Sequence, residues 1–285
     1  MKWTGKGTGK LLLLLSSVLA GNAWAVEKPL WEAGAGIGVV SMPDYRGADQ
    51  SHSYALPIPY LVYRGDFLQV DRQKIRGLLF SRDWGELDVS LNGSIPVKSD
   101  QNTARRGMPN LDPTLEIGPQ LNVFLSKGAR HDLQLRLPVR MVEAMDGLHG
   151  RPVGHIFSPV LNLDLYPGNN WNIGVSGGPV WGDTAYHNYF YTVEPQYATA
   201  DRPAYQAHGG YAGAQFIVSA SKRFDHMWFG AYIKDDDLNG AAFLDSPLVK
   251  RHYGFSAGFG VSWIFAESDR RVSVAEPFSA MRSER

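Results

Sequence analysis

The chain has 285 residues, enough for one large β-domain or two ordinary ones, and carries 28 basic and 28 acidic residues. It contains no cysteine, which excludes disulfides, thiolate metal sites, cysteine nucleophiles and a lipoprotein anchor. Balanced charge gives no electrostatic reason for a nucleic-acid partner. The 31 glycines, 13 tyrosines, 13 phenylalanines and 8 tryptophans suit an all-β chain with tight turns. A negative mean hydropathy does not argue against a membrane, because a barrel turns only every second residue to lipid.

Residues 1–25 read as a secretory signal peptide. Lys2, Lys6 and Lys10 form the positive start, Leu11 to Ala20 the apolar core, and Ala23 and Ala25 flank Trp24 in a small-x-small cleavage site. Cleavage is expected after Ala25, since the apolar core is too short to remain as an anchor. The run Gly5-Lys-Gly-Thr-Gly-Lys10 lacks Walker spacing and a preceding strand, so it is read as part of the charged start. Cleavage removes three lysines and no acids, leaving 25 basic and 28 acidic residues. No later stretch is apolar for long enough to form a membrane helix. An exported chain of this kind is periplasmic, secreted or folded as an outer-membrane barrel.

Twelve strands are predicted, at 31–41, 54–64, 67–71, 76–81, 84–97, 114–125, 133–142, 153–165, 171–182, 211–223, 227–234 and 253–265. The last is the clearest. Tyr253, Phe255, Ala257, Phe259, Val261, Trp263 and Phe265 alternate with Gly254, Ser256, Gly258, Gly260 and Ser262. Its length suits a tilted membrane strand, and aromatics bracket its apolar face at both ends. Elsewhere Glu116, Arg136, Arg140 and Asp164 stand opposite apolar faces, where a dry sandwich core would make them costly. They are candidates for the lumen of a barrel, or else for the wet face of a sandwich. Short turns near 64–66, 82–83, 126–130, 167–170 and 224–226 alternate with longer loops at 42–53, 98–113, 143–152, 183–210 and 235–252, the outer-membrane pattern of periplasmic turns and outer loops. The 72–75 connection is the short exception.

Three features complicate the barrel. Pro57, Pro59, Pro119, Pro138, Pro159 and Pro179 lie inside strands, so each is expected to mark a bulge or a lost ladder bond. Gly34, Gly36, Gly38, Gly254, Gly258 and Gly260 share the inner face of the first and last strands. They are expected chiefly to permit tight coiling, with a smooth wall for loop 183–210 as the alternative. That loop holds Tyr186, Tyr189, Phe190, Tyr191, Tyr197 and Tyr205, too aromatic to stay unpacked, and is expected on the barrel mouth, in the lumen or against a partner.

No catalytic set emerges. The eight histidines lack zinc-protease spacing, there is no Gly-x-Ser-x-Gly elbow, and Asp235-Asp-Asp237 reads as a solvated acidic run rather than a cation site. No metal or cofactor is expected.

Five segments resemble the MipA/OmpV family of Gram-negative outer-membrane proteins. These are Pro43-Asp44-Tyr45-Arg46-Gly47-Ala48-Asp49, then 56–64, then Tyr189-Phe190 running on through Pro195 to Pro203 and Tyr205, then Asp245-Ser246-Pro247-Leu248-Val249, and the aromatic closing strand. The resemblance implies an outer-membrane β-barrel over 26–265 without catalytic residues. It further implies a scaffold that brings a lytic transglycosylase to a penicillin-binding murein synthase, or a porin- or adhesin-like surface protein as in the OmpV branch. Residues 266–285 extend beyond the aromatic that commonly ends such chains, and are expected to form a polar, flexible periplasmic tail.

Overall fold

The computed structural model describes residues 25–65, 68–70, 75–77 and 79–275. The proposed signal peptide up to residue 24, including Ala23, and the tail from 276 lie outside the described residues. The strands are β1 (Ala25–Pro29), β2 (Trp31–Pro43), β3 (Ser51–Arg64), β4 (Leu68–Val70), β5 (Ile75–Gly77), β6 (Phe80–Arg82), β7 (Gly85–Ser94), β8 (Thr114–Gly128), β9 (His131–Asp146), β10 (His149–Phe157), β11 (Val160–Gly168), β12 (Trp171–Gly182), β13 (Gly210–Arg223), β14 (Met227–Asp237), β15 (Tyr253–Glu267) and β16 (Arg271–Ala275). One α-helix, α1 (Thr184–Tyr191), lies between β12 and β13.

Strands β2 to β15 form one antiparallel sheet of fourteen pieces. Two predicted strands are each split, into β5 with β6 and into β10 with β11, so the sheet has twelve spans. The first and last spans pair as closure requires, from Ala257 opposite Ser41 to Glu267 opposite Glu32. Among the described residues the ladder does not form an unbroken ring. Its two ends are β5 and β6, which are consecutive in sequence.

Polarity identifies the wall as a membrane barrel. Phe265, Phe259 and Ile37 are 67%, 64% and 57% exposed on the outer face, whereas Asn122, Asp88 and Glu32 are 0%, 1% and 1% exposed on the inner one. That is the inverse of a sandwich, whose strands turn apolar residues inward. Aromatic side chains mark both rims. At the loop end Phe157 stacks on Trp181, which meets Tyr211 edge-on, while Phe224 meets Phe229 at the turn end.

Several connections and prolines differ from expectation. The segment 143–152 is strand rather than loop: β9 and β10 continue to a tight turn where Gly147 adopts φ 60°. Pro159 separates β10 from β11, and the β12–β13 register shifts between Pro179 and Trp181, as expected of bulge prolines. Pro57 and Pro59 instead pair in register with Ile37 and Ala35. On its other side β3 pairs β4 only at Tyr63 and Arg64 among the described residues. These two prolines therefore sit along an edge, where a missing amide costs no ladder bond.

The inner glycines have two roles. A Cβ at Gly34 or Gly36 would run into the backbone of Trp263 or Val261, so these two serve close strand coiling. A Cβ at Gly260 would lie 2.5 Å from Ile58 Cδ1, and one at Gly258 would lie 2.6 Å from the Tyr232 ring. Those glycines make room for side chains of neighbouring strands, not for loop 183–210.

The first part of the expected tail contains strand. Residues 266–267 complete β15, and β16 pairs β1 from Ala25 opposite Ala275 to Pro29 opposite Arg271. This two-stranded ribbon lies at the turn end, tied to the barrel by Leu30 N–H donating to the Arg270 carbonyl and Ser268 N–H to that of Trp31.

Candidate functional site

At the loop end the inner wall changes character. Glu116 and Arg140 face the lumen one level below Val142, Ala144, Val153, Ile156 and Val180, which are buried and apolar. Onto this apolar collar fold the loop after β2, the 98–113 segment, α1 with its following coil, and the 238–250 turns. Their shared core includes Tyr45, Leu111, Tyr191, Val193, Leu238, Phe243 and Leu248. Tyr191 stacks on Phe243 with centroids 3.6 Å apart, and Tyr45 meets Tyr191 edge-on at 6.4 Å. The result is a plug, with a soluble-type core set inside the mouth.

Sequence chemistry places each piece. Asp183 precedes α1 as its N-cap, accepting from the Tyr186 amide at 2.8 Å and from His155 Nδ1 at 2.9 Å. Partial burial works against ionisation of Asp183, but these bonds hold its carboxyl below the usual range. Gly47 adopts φ 94°, and its carbonyl accepts from the amides of Lys250 and Arg251, tying the β2 loop to the 238–250 turns. Two buried arginines fasten the loops. Arg105 donates to the Phe190 carbonyl at 3.0 Å, and Arg202 donates to the carbonyls of Ala104, Arg106 and Tyr197.

The family-like residues converge here. Tyr45 Oη donates to the Leu248 carbonyl at 2.8 Å, Tyr191 Oη to that of Arg46 at 3.0 Å, and Ser246 Oγ to that of Tyr191 at 2.7 Å. Burial pushes the phenols of Tyr45 and Tyr191 well above their ordinary range, so both remain neutral donors. Asp44 accepts from Asn102 at 2.7 Å and bonds His52, and Arg46 pairs with Asp236 at 2.8 Å. Tyr189 Oη accepts from the Asp112 amide at 2.8 Å, and the Phe190 ring packs edge-on against that of Tyr189. Tyr205 pairs its backbone with Val193. Pro43 ends β2, Pro247 is half-buried beside Leu248, and Pro203 is exposed. Segments 43–49, 189–205 and 245–249 thus form a single structure, while 56–64 and the closing strand belong to the wall.

The four lumen candidates separate into two pairs. Arg140 Nε lies 2.9 Å from Glu116, with further bonds from Arg140 to Ser90 and Ser158. Arg136 lies 3.4 Å from Asp164. A third cluster lies at the turn end, where Arg64 and Arg223 pair with the two carboxylate oxygens of Glu32. Among the described residues no group of three or more metal-ligating side chains is arranged around a common point.

His187, Phe243, Arg105 and Arg202 were not singled out by the sequence. His187 is fully buried, its Nδ1–H donating to the His208 carbonyl at 2.6 Å and its ring edge-on to Phe243 at 4.8 Å. Burial holds its pKa below the usual 6.5, against the pull of that carbonyl. The spacing from Phe243 to Leu248 within a turn-rich stretch was the available signal for a packed segment.

The chain is 24% identical over 278 residues to the outer membrane protein Omp26La of Vibrio anguillarum, covering 89% of this chain and 98% of that one. OmpV of Vibrio cholerae serotype O1 is 23% identical with the same coverage. Among solved structures, an outer membrane channel from Pseudomonas putida F1 superposes with a TM-score of 0.46 at 12% identity, covering 86% of this chain and 98% of that one. The family described as MltA-interacting protein MipA matches residues 35–265. That range runs from β2 through the plug segments to Phe265, and so this outer-membrane protein belongs to the MipA family.

Proposed function

We propose that this barrel is a sealed outer-membrane anchor, presenting a docking surface for murein-remodelling enzymes at its periplasmic turn end. The observation that carries this reading is the plug. Its core is buried, apolar and assembled from four separate segments, which suits a closed anchor better than a conduit. The family description names an MltA-interacting protein, in keeping with a lytic transglycosylase as partner and, as a further step, a penicillin-binding murein synthase. The ribbon of β1 and β16 supplies surface at that end. The barrel needs no catalytic residues for such a role.

A porin-like channel is the second reading, favoured by an unfilled space of about 560 Å³ within the lumen. One experiment separates them. The purified protein, immobilised, is offered a periplasmic extract, and a murein lytic transglycosylase is sought among the retained proteins. Retention supports the anchor. Its absence, together with discrete conductance steps in a planar bilayer, refutes it. Loss of retention after truncation at Phe265 places the docking surface in residues 266–285.

A further inference from the structure

Between the plug and the turn-end cluster, a cavity of about 560 Å³ occupies one side of the lumen. Its size is that of small-ligand sites, and its lining is largely apolar. The floor is Gly38, Gly258 and Gly260, with Ile58 and Tyr232 lying across it. These glycines of β2 and β15 let Ile58 and Tyr232 lie close against the wall, and the recess opens beside those two side chains.

Two residues that line this recess carry unpaired donors. Trp228 Nε1 and Ser262 Oγ are buried and have no hydrogen-bond partner among the described residues. Ser262 is 1% exposed. Buried donors left unpaired are costly, and native structures hold few of them. Both lie on one ladder row, because Trp228 stands opposite Ser262 on one side and opposite Arg223 on the other. At that end of the lumen Arg223 and Arg64 share the single carboxylate of Glu32. Arg223 also donates to Tyr60 Oη, which lines the same space. The row therefore combines a cation, an indole N–H and a hydroxyl beside an apolar recess.

We propose that this cavity binds a small hydrophobic carboxylate. Its apolar body lies over the glycine floor against Tyr232, and its carboxylate accepts from Trp228 and Ser262 beside Arg223. Charge-assisted bonds of this kind favour an anion over a neutral isostere. The site is independent of any periplasmic docking role.

The test uses the full mature protein in lipid nanodiscs, titrated with trifluoromethylbenzoate and followed by fluorine NMR, with empty nanodiscs correcting for partition into lipid. Saturable binding is expected. Trp228→Phe and Ser262→Ala should each weaken it roughly tenfold, the loss expected for a charge-assisted hydrogen bond. Ser219→Leu, which fills the cavity without touching the donors, should abolish it. The matching benzamide should bind at least tenfold more weakly. Heat-modifiable gel migration confirms that each variant is folded. Absence of saturable binding by the wild type, equal binding of the amide, or unchanged affinity in the two donor variants overturns the proposal.

Discussion

The plug and the wall obey opposite rules within one chain. In the wall, Phe259 and Ile37 face outward while Asp88 and Asn122 are buried, because the outside is lipid and the inside is wet. In the plug, Phe243, Leu238 and Leu248 are fully buried, as in a soluble domain. The boundary lies between Arg140 and Val142, two residues apart on the inner face of β9. The difference shows that the mouth is held by packing, whereas the wall is held by its ladder and by lipid. Damage to one should therefore leave the other standing.

The largest expected effect is in the plug. Phe243→Ala should cost about 3–5 kcal/mol of local stability, the range for truncating a buried aromatic. Proteolysis should then cut the 183–209 segment, while the barrel keeps its heat-modifiable migration. Simultaneous loss of both would erase the distinction. In the wall, Phe259→Arg should cost about 2–4 kcal/mol, as charges do near the bilayer midplane. It should lower the unfolding midpoint of the barrel in urea and leave the plug's protease resistance intact.

A smaller effect is expected below the boundary. Glu116→Gln leaves Arg140 with Ser90 and Ser158 but no carboxylate, and should cost about 2 kcal/mol, less than a dry buried pair because the lumen admits water. Urea unfolding of the two proteins in one detergent reads the difference.

His187 sharpens the comparison by pH. Its folded pKa is depressed, so its contribution is fully present above the unfolded value of 6.5 and is lost as pH falls below it toward the folded value. Protonation would charge Nε2, which is buried without an acceptor among the described residues. Protease resistance of the plug should fall between pH 7 and pH 5 in the wild type and change less in His187→Gln. The smallest effect is at the ribbon, where Arg271 and Glu267 form an exposed pair. Arg271→Ala should change stability by no more than a few tenths of a kcal/mol.

Legibility in the sequence follows the same division. Alternation gave the wall, because a period of two is written residue by residue, and the paired first and last strands followed from it. The lumen pairs Glu116 with Arg140 and Arg136 with Asp164 were legible as inward charges but not as pairs, since pairing depends on strand register. Aromatic density marked 183–210 as packed. Its partners at 98–113 and 238–250 carried no periodicity, so Phe243 and Arg105 passed as loop residues. The 143–152 hairpin was mistaken for a loop because Gly147 and Gly150 resemble loop punctuation. The pairing of β1 with β16 joins residues nearly a whole chain apart, and nothing local announces it.

The central claim, a sealed mouth, is tested most directly by conductance of the purified wild-type protein in a planar bilayer, beside Phe243→Ala. A mouth closed by packing predicts a silent wild type and discrete steps once the aromatic stack is removed. Stable conductance by the wild type, unchanged by that substitution, would contradict it.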